Sequence, residues 1–306
     1  MGVKNVMKST ILICIIMAGM VYLQGCLGGG GEYYDANKYY EEDIKAIQDY
    51  LDGNAINARM DSTTGIFIQT HKRGSGYKTL ANIDVELQFK GSTLSGTQFA
   101  NYYSGAPIQI KIGDVQTYPA GLTNAVIIGI SHMNEGDSIT VYSPSYFGFQ
   151  NKTYLNVQPN TPLVYDIKFV KIKNLHEDIS KIDQYLGQKG MVADIDSIFG
   201  TRTVIHVAGG GLSIDNNDFI SLDYQGELLD GTVFDSSFGK SNPLTFTIGK
   251  GQLIPGFELG VLQLQMLDSA TIFVPSIYGY GNKANGTIPA NSVLVFGLKI
   301  RDVKKY

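Results

Sequence analysis

Cysteine is nearly absent from this chain: of 306 residues only 2 are cysteine, Cys14 and Cys26, both close to the start. That leaves the body of the protein without a disulfide framework or a cysteine-ligated metal. Histidine is scarce too, and His71, His132, His176 and His206 are scattered, so neither a Cys/His set nor a Ser/His/Asp arrangement is visible. No metal or cofactor is expected. Positive charge is not in excess either. With 24 Lys and Arg against 28 Asp and Glu, the net charge of −4 gives no electrostatic ground for a nucleic-acid partner. Proline is sparse at 9, against 36 Gly and 19 Tyr, which suits short strands and tight turns better than a helical bundle. What is present, 43% hydrophobic and 17% charged residues, describes an ordinary globular chain long enough for two domains.

The N-terminus reads as an address. Lys4 and Lys8 precede the apolar run Ile11 to Leu23, too short for a comfortable membrane span and the right size for a secretory signal core. "LQGC", Leu23 to Cys26, resembles the bacterial lipobox, in which a small residue precedes a cysteine that is lipidated and becomes the mature N-terminus. On this reading residues 1–25 are a lipoprotein signal peptide, Cys26 is the lipidation site and membrane anchor, and 26–36 form a flexible tether. The alternative is a plain signal-anchor helix with Cys26 incidental. Both place the bulk of the chain in the bacterial cell envelope, and Leu27, where an inner-membrane retention aspartate would stand, inclines the expectation to the outer membrane.

Beyond the tether the sequence repeats. "DIKAIQDYL" from Asp43 returns as "DISKIDQYL" from Asp178, "FKG" from Phe89 as "YQG" from Tyr224, and "GTQF" from Gly96 as "GTVF" from Gly231, all at an offset of 178 − 43 = 135. A shared spacing of this kind marks two copies of one unit, too few and too long for a solenoid. The boundary is expected near Asn174, giving domains at 37–173 and 174–306. Each copy opens with a helix. Ile179, Ile182, Tyr185 and Leu186 share one face of a 3.6-residue period, with Asp178, Ser180, Lys181 and Asp183 on the other side. Strands are expected in "NIDVELQF" (Asn82 to Phe89), Ile220 to Tyr224, "PIQIKIG", "PLTFTIG" and the closing "VLVFGLKI", and a short helix from Phe257 to about Leu264. Gly-rich "AGGG", Ala208 to Gly211, is read as a turn before the sheet, since no phosphate-loop continuation follows it. The fold class is α+β, with an antiparallel sheet and little helix in each copy.

Three segments of the second copy, "YQGELLDGTVFDSS", "PLTFTIGKGQLIPGFELGV" and "PSIYGYGNKANGTIPANSVLVFGLKI", resemble the signature segments of the FKBP-type peptidyl-prolyl cis-trans isomerases, in that family's order and spacing. The resemblance covers Ile220 to Val303 and implies a twisted antiparallel sheet wrapped round a short helix, with an apolar cleft between. It places the pocket on Tyr224, Phe234, Asp235, Leu244, Leu253, Ile254, Phe257, Tyr280, Ile288 and Phe296. It further implies Phe257 as the floor under a proline ring, with Phe234, Tyr224 and Phe296 as walls. The Ile254 backbone N–H and the Tyr280 hydroxyl would hold substrate carbonyls, and Leu244, Leu253 and Ile288 would complete the substrate site. Asp235 would accept hydrogen bonds from the pocket's hydroxyls, or else it only caps the turn of Ser236, Ser237 and Gly239.

Departures from the family pattern matter as well. Phe257 stands where tryptophan is commoner, Leu244 where phenylalanine is commoner, and "QLQMLDSA", Gln263 to Ala270, lacks the glycine usual before the next strand. In the first copy Asp235, Tyr224 and Tyr280 are answered by Ala100, Phe89 and Phe149, and "TYPAGLTNAV" shows no obvious anchor aromatic, while Gly129 to Ser145 is read as keeping a strand-turn-strand pattern. That copy is therefore expected to be a degenerate domain, a spacer or a client-binding surface. Two functions remain in view: a prolyl isomerase acting through its C-terminal domain on proline-containing exported polypeptides, or a non-catalytic client-binding chaperone using both domains. The sequence is compatible with a monomer and identifies no client.

Overall fold

The computed structural model describes residues 36–306, so the expected signal segment and the lipidation site Cys26 lie outside the described residues. Ala36, the last residue of the expected tether, already belongs to a helix. Two compact units divide the chain between Ile172 and Lys173. Among the described residues no helix is long and apolar enough to cross a membrane.

The first unit opens with helix α1 (Ala36–Gly53) and continues through strands β1 (Arg59–Met60), β2 (Phe67–Lys72), β3 (Asp84–Thr93), β4 (Gln98–Asn101) and β5 (Ile108–Lys111). Helix α2 (Asn124–Ser131) and strands β6 (Ser138–Ser143) and β7 (Leu163–Ile172) complete it. The sheet is antiparallel in the order β1-β2-β6-β7-β3-β4, with β5 also on β3. Helix α1 lays Ile47 and Leu51 on Phe67 and Tyr142.

The second unit repeats the plan. Helix α3 (Leu175–Lys189), strands β8 (Asp194–Ile195), β9 (Arg202–Val207), β10 (Phe219–Leu228), β11 (Val233–Ser236) and β12 (Leu244–Thr247), helix α4 (Pro255–Val261), and strands β13 (Ser269–Val274) and β14 (Leu294–Lys304) follow in turn. The antiparallel order β11-β10-β14-β13-β9-β8, with β12 also on β10, is that of the first unit. Helix α3 starts with Glu177 and Asp178 against its positive end, and stops at Gly190, whose φ of 63° is cheap only for glycine. Its apolar face buries Ile182 and Leu186 on Val204, Phe273, Val293 and Val295 of the same unit.

Several expectations are corrected. Asp178, assigned to the polar face of α3, is 1% exposed, because the first turn of the helix docks on a later turn of the same unit and uses this carboxylate as its anchor. Gly129 is not in a strand: Ala125 to Ile130 form a helix buried on every side, and a short all-apolar run has no period to separate helix from strand. Helix α4 begins at Pro255, with proline in the first turn where its missing N–H is harmless, and ends at Val261, short of Leu264. The AGGG turn does not precede the sheet, since β8 and β9 come before it. The glycine missing from 263–270 also has a counterpart. Leu267 takes the left-handed conformation, φ 71°, that Gly136 takes at φ 86° before β6, a strain of roughly 1–2 kcal/mol for a residue with a Cβ.

Candidate active site

Strand β10 and helix α4 set the geometry. On β10, Tyr224 points to the concave face, and two residues on Gly226 leaves room for a ring: a Cβ there would lie 2.4 Å from the Phe234 ring. Phe234 lies across that gap from β11, edge-on to Phe296 of β14, with centroids 5.7 Å apart. Helix α4 brings Phe257 against Phe296 at 5.0 Å and Tyr224 at 6.2 Å, both edge to face, the preferred arrangement of aromatic quadrupoles. The helix can come this close because Gly256 and Gly260 face Val274 and Ile272 of β13.

Between these elements lies a cavity of about 760 Å³ lined by all ten residues singled out above: Tyr224, Phe234, Asp235, Leu244, Leu253, Ile254, Phe257, Tyr280, Ile288 and Phe296. Phe257, Ile288 and Phe296 are buried, whereas Tyr280 and Asp235 are exposed at the rim. Gly251, Gln252 and Pro255 also line it without having been singled out, and Asn285, Gly286 and Thr287 line it from "NKANGTIPAN", Asn282 to Asn291, the segment that the sequence reads as a short loop over the cleft. The 285–288 loop is closed by reciprocal backbone bonds between Asn285 and Ile288, at 2.9 and 3.0 Å.

The polar groups are few. Tyr224 donates its hydroxyl to Asp235 Oδ2, and Oδ1 accepts the Ser236 N–H at 2.8 Å, so the acid serves both the pocket hydroxyl and its own turn. Ser237, named above only as part of that turn, is buried and holds it to β10: its Oγ accepts the Tyr224 N–H at 2.9 Å while its N–H donates to the Tyr224 carbonyl at 2.8 Å. Ile254 caps α4, its carbonyl accepting the Phe257 N–H at 3.0 Å. Burial, helped by the bond to Asp235, pushes the Tyr224 hydroxyl up to about 12. The bond from Tyr224, followed by the Ser236 N–H and Lys240, holds the Asp235 carboxyl below its ordinary range. The sign follows: pairing that favours the carboxylate is present above the ordinary carboxylate pKa and is lost only as pH falls through the depressed one. The pair thus keeps a single charge state across neutral pH, phenol protonated and acid ionised.

The first unit carries the same frame with different side chains on it. Tyr165 of β7 stands where Phe296 does and is wholly buried, its hydroxyl reaching the Gly121 carbonyl at 2.9 Å and Thr123 Oγ1 at 3.0 Å. Phe149 stacks on Tyr154 at 4.2 Å and meets Phe99 edge-on at 5.2 Å, while Phe89 stacks on Tyr102 at 5.1 Å. Helix α2 seats Gly129 on Val141 as α4 seats Gly260 on Ile272, so Val126, three residues before Gly129, takes the place of Phe257. Ala100 faces Gly91 across β3 and β4 as Asp235 faces Gly226.

The sequence profile of the FKBP-type peptidyl-prolyl cis-trans isomerases matches residues 78–170 and 211–301, one segment in each unit. The chain belongs to that family. Its tandem antiparallel α+β units are two FKBP domains in sequence order. Peptidyl-prolyl cis-trans isomerase FKBP9 of Mus musculus is 26% identical over 245 residues, 79% of this chain and 39% of that protein. FK506-binding protein 2 of Debaryomyces hansenii is 40% identical over 86 residues, covering 28% of this chain and 64% of its own length. The FKBP-type isomerase FkpA of Aeromonas hydrophila is 33% identical over 134 residues, 44% of this chain and 49% of that one. The chain thus spans less than two thirds of each of these FKBP relatives.

Proposed function

We propose that this protein is a prolyl isomerase whose second unit alone catalyses, acting on proline-containing exported polypeptides. The observation that carries the reading is the open aromatic slot of the second unit, with its Tyr224–Asp235 pair at the rim, beside a first unit that has Phe89 and Ala100 at the two positions. An Xaa-Pro bond rotates slowly because amide resonance imposes a barrier of roughly 18–20 kcal/mol. The resonance form separates charge and the twisted form does not, so a dry aromatic slot favours the twist. Phe257 receives the proline ring, Tyr224, Phe234 and Phe296 exclude water around it, and Leu244, Leu253 and Ile288 border the flanking residues. The Ile254 N–H and the Tyr280 hydroxyl hold carbonyls on either side, and Asp235 fixes the Tyr224 ring. Catalysis is then selective binding of the twisted geometry, with no nucleophile required.

The test compares turnover of a proline tetrapeptide by wild type, Asp235→Ala and Tyr280→Phe. Loss of a hydrogen bond to a charged group, about 1.5–3 kcal/mol, predicts roughly a tenfold or greater fall in kcat/KM for Asp235→Ala, and Tyr280→Phe should fall about fivefold. Wild-type rates read by magnetization exchange should stay level from about pH 5 to pH 9, since neither Asp235 nor Tyr224 titrates there. Wild type without turnover, still capturing clients, would favour the client-binding reading.

Placement in the bacterial envelope, with a preference for the outer membrane through a lipid on Cys26, is supported by Lys4, Lys8, the Ile11 to Leu23 run and "LQGC". Cells expressing the chain should incorporate labelled palmitate into it and lose that label in Cys26→Ser. Label retained by the variant removes the anchor.

A further inference from the structure

The profile match in the second unit begins at residue 211, so helix α3 lies wholly outside it. Yet α3 reaches the working part of the fold. From its first turn, Asp178 Oδ2 accepts both the Ser276 N–H at 2.8 Å and the Ser276 hydroxyl at 2.5 Å, and Lys181 pairs with Oδ1 at 3.3 Å. A carboxylate that takes two donors of one residue fixes that residue's rotation as well as its position, and charge makes the bonds strong.

Ser276 opens the 3-10 turn Ser276–Tyr278, which leads directly to Tyr280 at the rim. The turn is gripped at three more points. The Gly279 and Gly281 N–H groups return to the Ser276 carbonyl at 3.0 and 2.8 Å, and the Asn291 N–H bonds the Gly281 carbonyl at 2.7 Å. On its far side Gly256, next to Phe257, presses so close that a Cβ there would lie 3.0 Å from Tyr278 Cβ. We infer that Asp178 is a positioning residue for Tyr280: helix α3, through the Ser276 clip, sets where the Tyr280 hydroxyl meets a substrate carbonyl. This rests on the slot being the isomerase site.

The first unit supplies its own control. Asp43 of α1 clips the Ser145 N–H and hydroxyl at 2.7 and 2.6 Å, but the turn leads to Phe149, which has no hydroxyl to aim. Both clips stabilise their units, so only the second should touch the chemistry.

The experiment uses the whole chain in five forms: wild type, Asp43→Ala, Asp178→Ala, Asp178→Asn and Tyr280→Phe, with Asp178→Ala/Tyr280→Phe as the cycle. Both alanine variants should lower unfolding midpoints. Asp178→Ala alone should lower kcat/KM, about fivefold and mainly through kcat, with Asp178→Asn restoring most of it because an acceptor oxygen returns. In the Tyr280→Phe background the Asp178→Ala change should add nothing. An unchanged rate in Asp178→Ala, or an undiminished loss in the Tyr280→Phe background, overturns the proposal. A second readout is independent of turnover: amide exchange at Gly279 and Gly281 should quicken in Asp178→Ala and not in Asp43→Ala. Unaltered protection there refutes positioning even if the protein catalyses nothing, whereas a wild type without turnover refutes only the isomerase reading. Should Asp178→Ala fail to fold, Ser276→Ala, which deletes the hydroxyl bond and keeps the backbone one, is read against the same criteria.

Discussion

Phe257→Ala should abolish measurable turnover by the whole chain, a fall of at least about 100-fold, and destabilise the second unit by about 3–5 kcal/mol. Both effects come from one ring. Phe257 is 3% exposed and meets Phe296, Tyr224 and Phe246, so its removal leaves a hole beneath the slot as well as a slot without a floor. Phe257→Leu separates the two: apolar bulk is retained, the unit stays folded, and turnover falls about tenfold because the flat face under the proline ring is gone. The first unit offers no reserve, since Val126 stands at the point equivalent to Phe257 and Ala100 at that of Asp235. Wild-type rates in Phe257→Ala would mean that catalysis happens elsewhere. Urea unfolding followed separately in each unit, with the tetrapeptide assay, reads both outcomes.

The second large effect belongs to the first unit. Tyr165→Ala should cost it about 3–5 kcal/mol, by removing a wholly buried ring that Phe89 and Phe99 pack against and by stranding the Gly121 carbonyl and Thr123 hydroxyl. Tyr165→Phe keeps the ring and strands the same two groups, and about 1–3 kcal/mol is expected. Neither variant should add turnover when placed on Phe257→Ala, because Ala100, Phe89 and Phe149 leave the first unit without an acid or a rim hydroxyl. A neutral Tyr165→Ala would show that the ring does not support the unit.

Sequence reasoning reached the slot through residues whose roles have fixed spacing. The alternation of Ile220 to Tyr224 and of Leu294 to Ile300 survives in the structure in that Ile220, Leu222, Leu294, Phe296, Leu298 and Ile300 are all buried. Helices α1 and α3 bury their apolar faces, while Val295 is buried too because α3 covers the other side of β14 there. Strands β2 and β9 were not singled out. Their burial stops halfway along, and a strand with only two or three buried residues, consecutive rather than alternating, has too little pattern to stand out from a loop. The α2 helix was hidden for the opposite reason, being apolar all round. Tyr165 and its strand β7 were not singled out, because nothing in local sequence distinguishes this ring from any other aromatic of a strand core. Asp178 and Asp43 carry polar side chains at polar positions of an amphipathic pattern, and only the distant serine each one meets reveals their burial.

An aromatic slot held open has a thermodynamic consequence of its own. In the first unit Tyr165 is wholly buried and makes two hydrogen bonds, whereas in the second the aromatic rings border an open cavity. Scanning calorimetry of the whole chain is expected to show the second unit melting before the first, and the reverse order would remove this reading. On the proposed reading, readiness for substrate and resistance to melting fall to different copies of a single architecture.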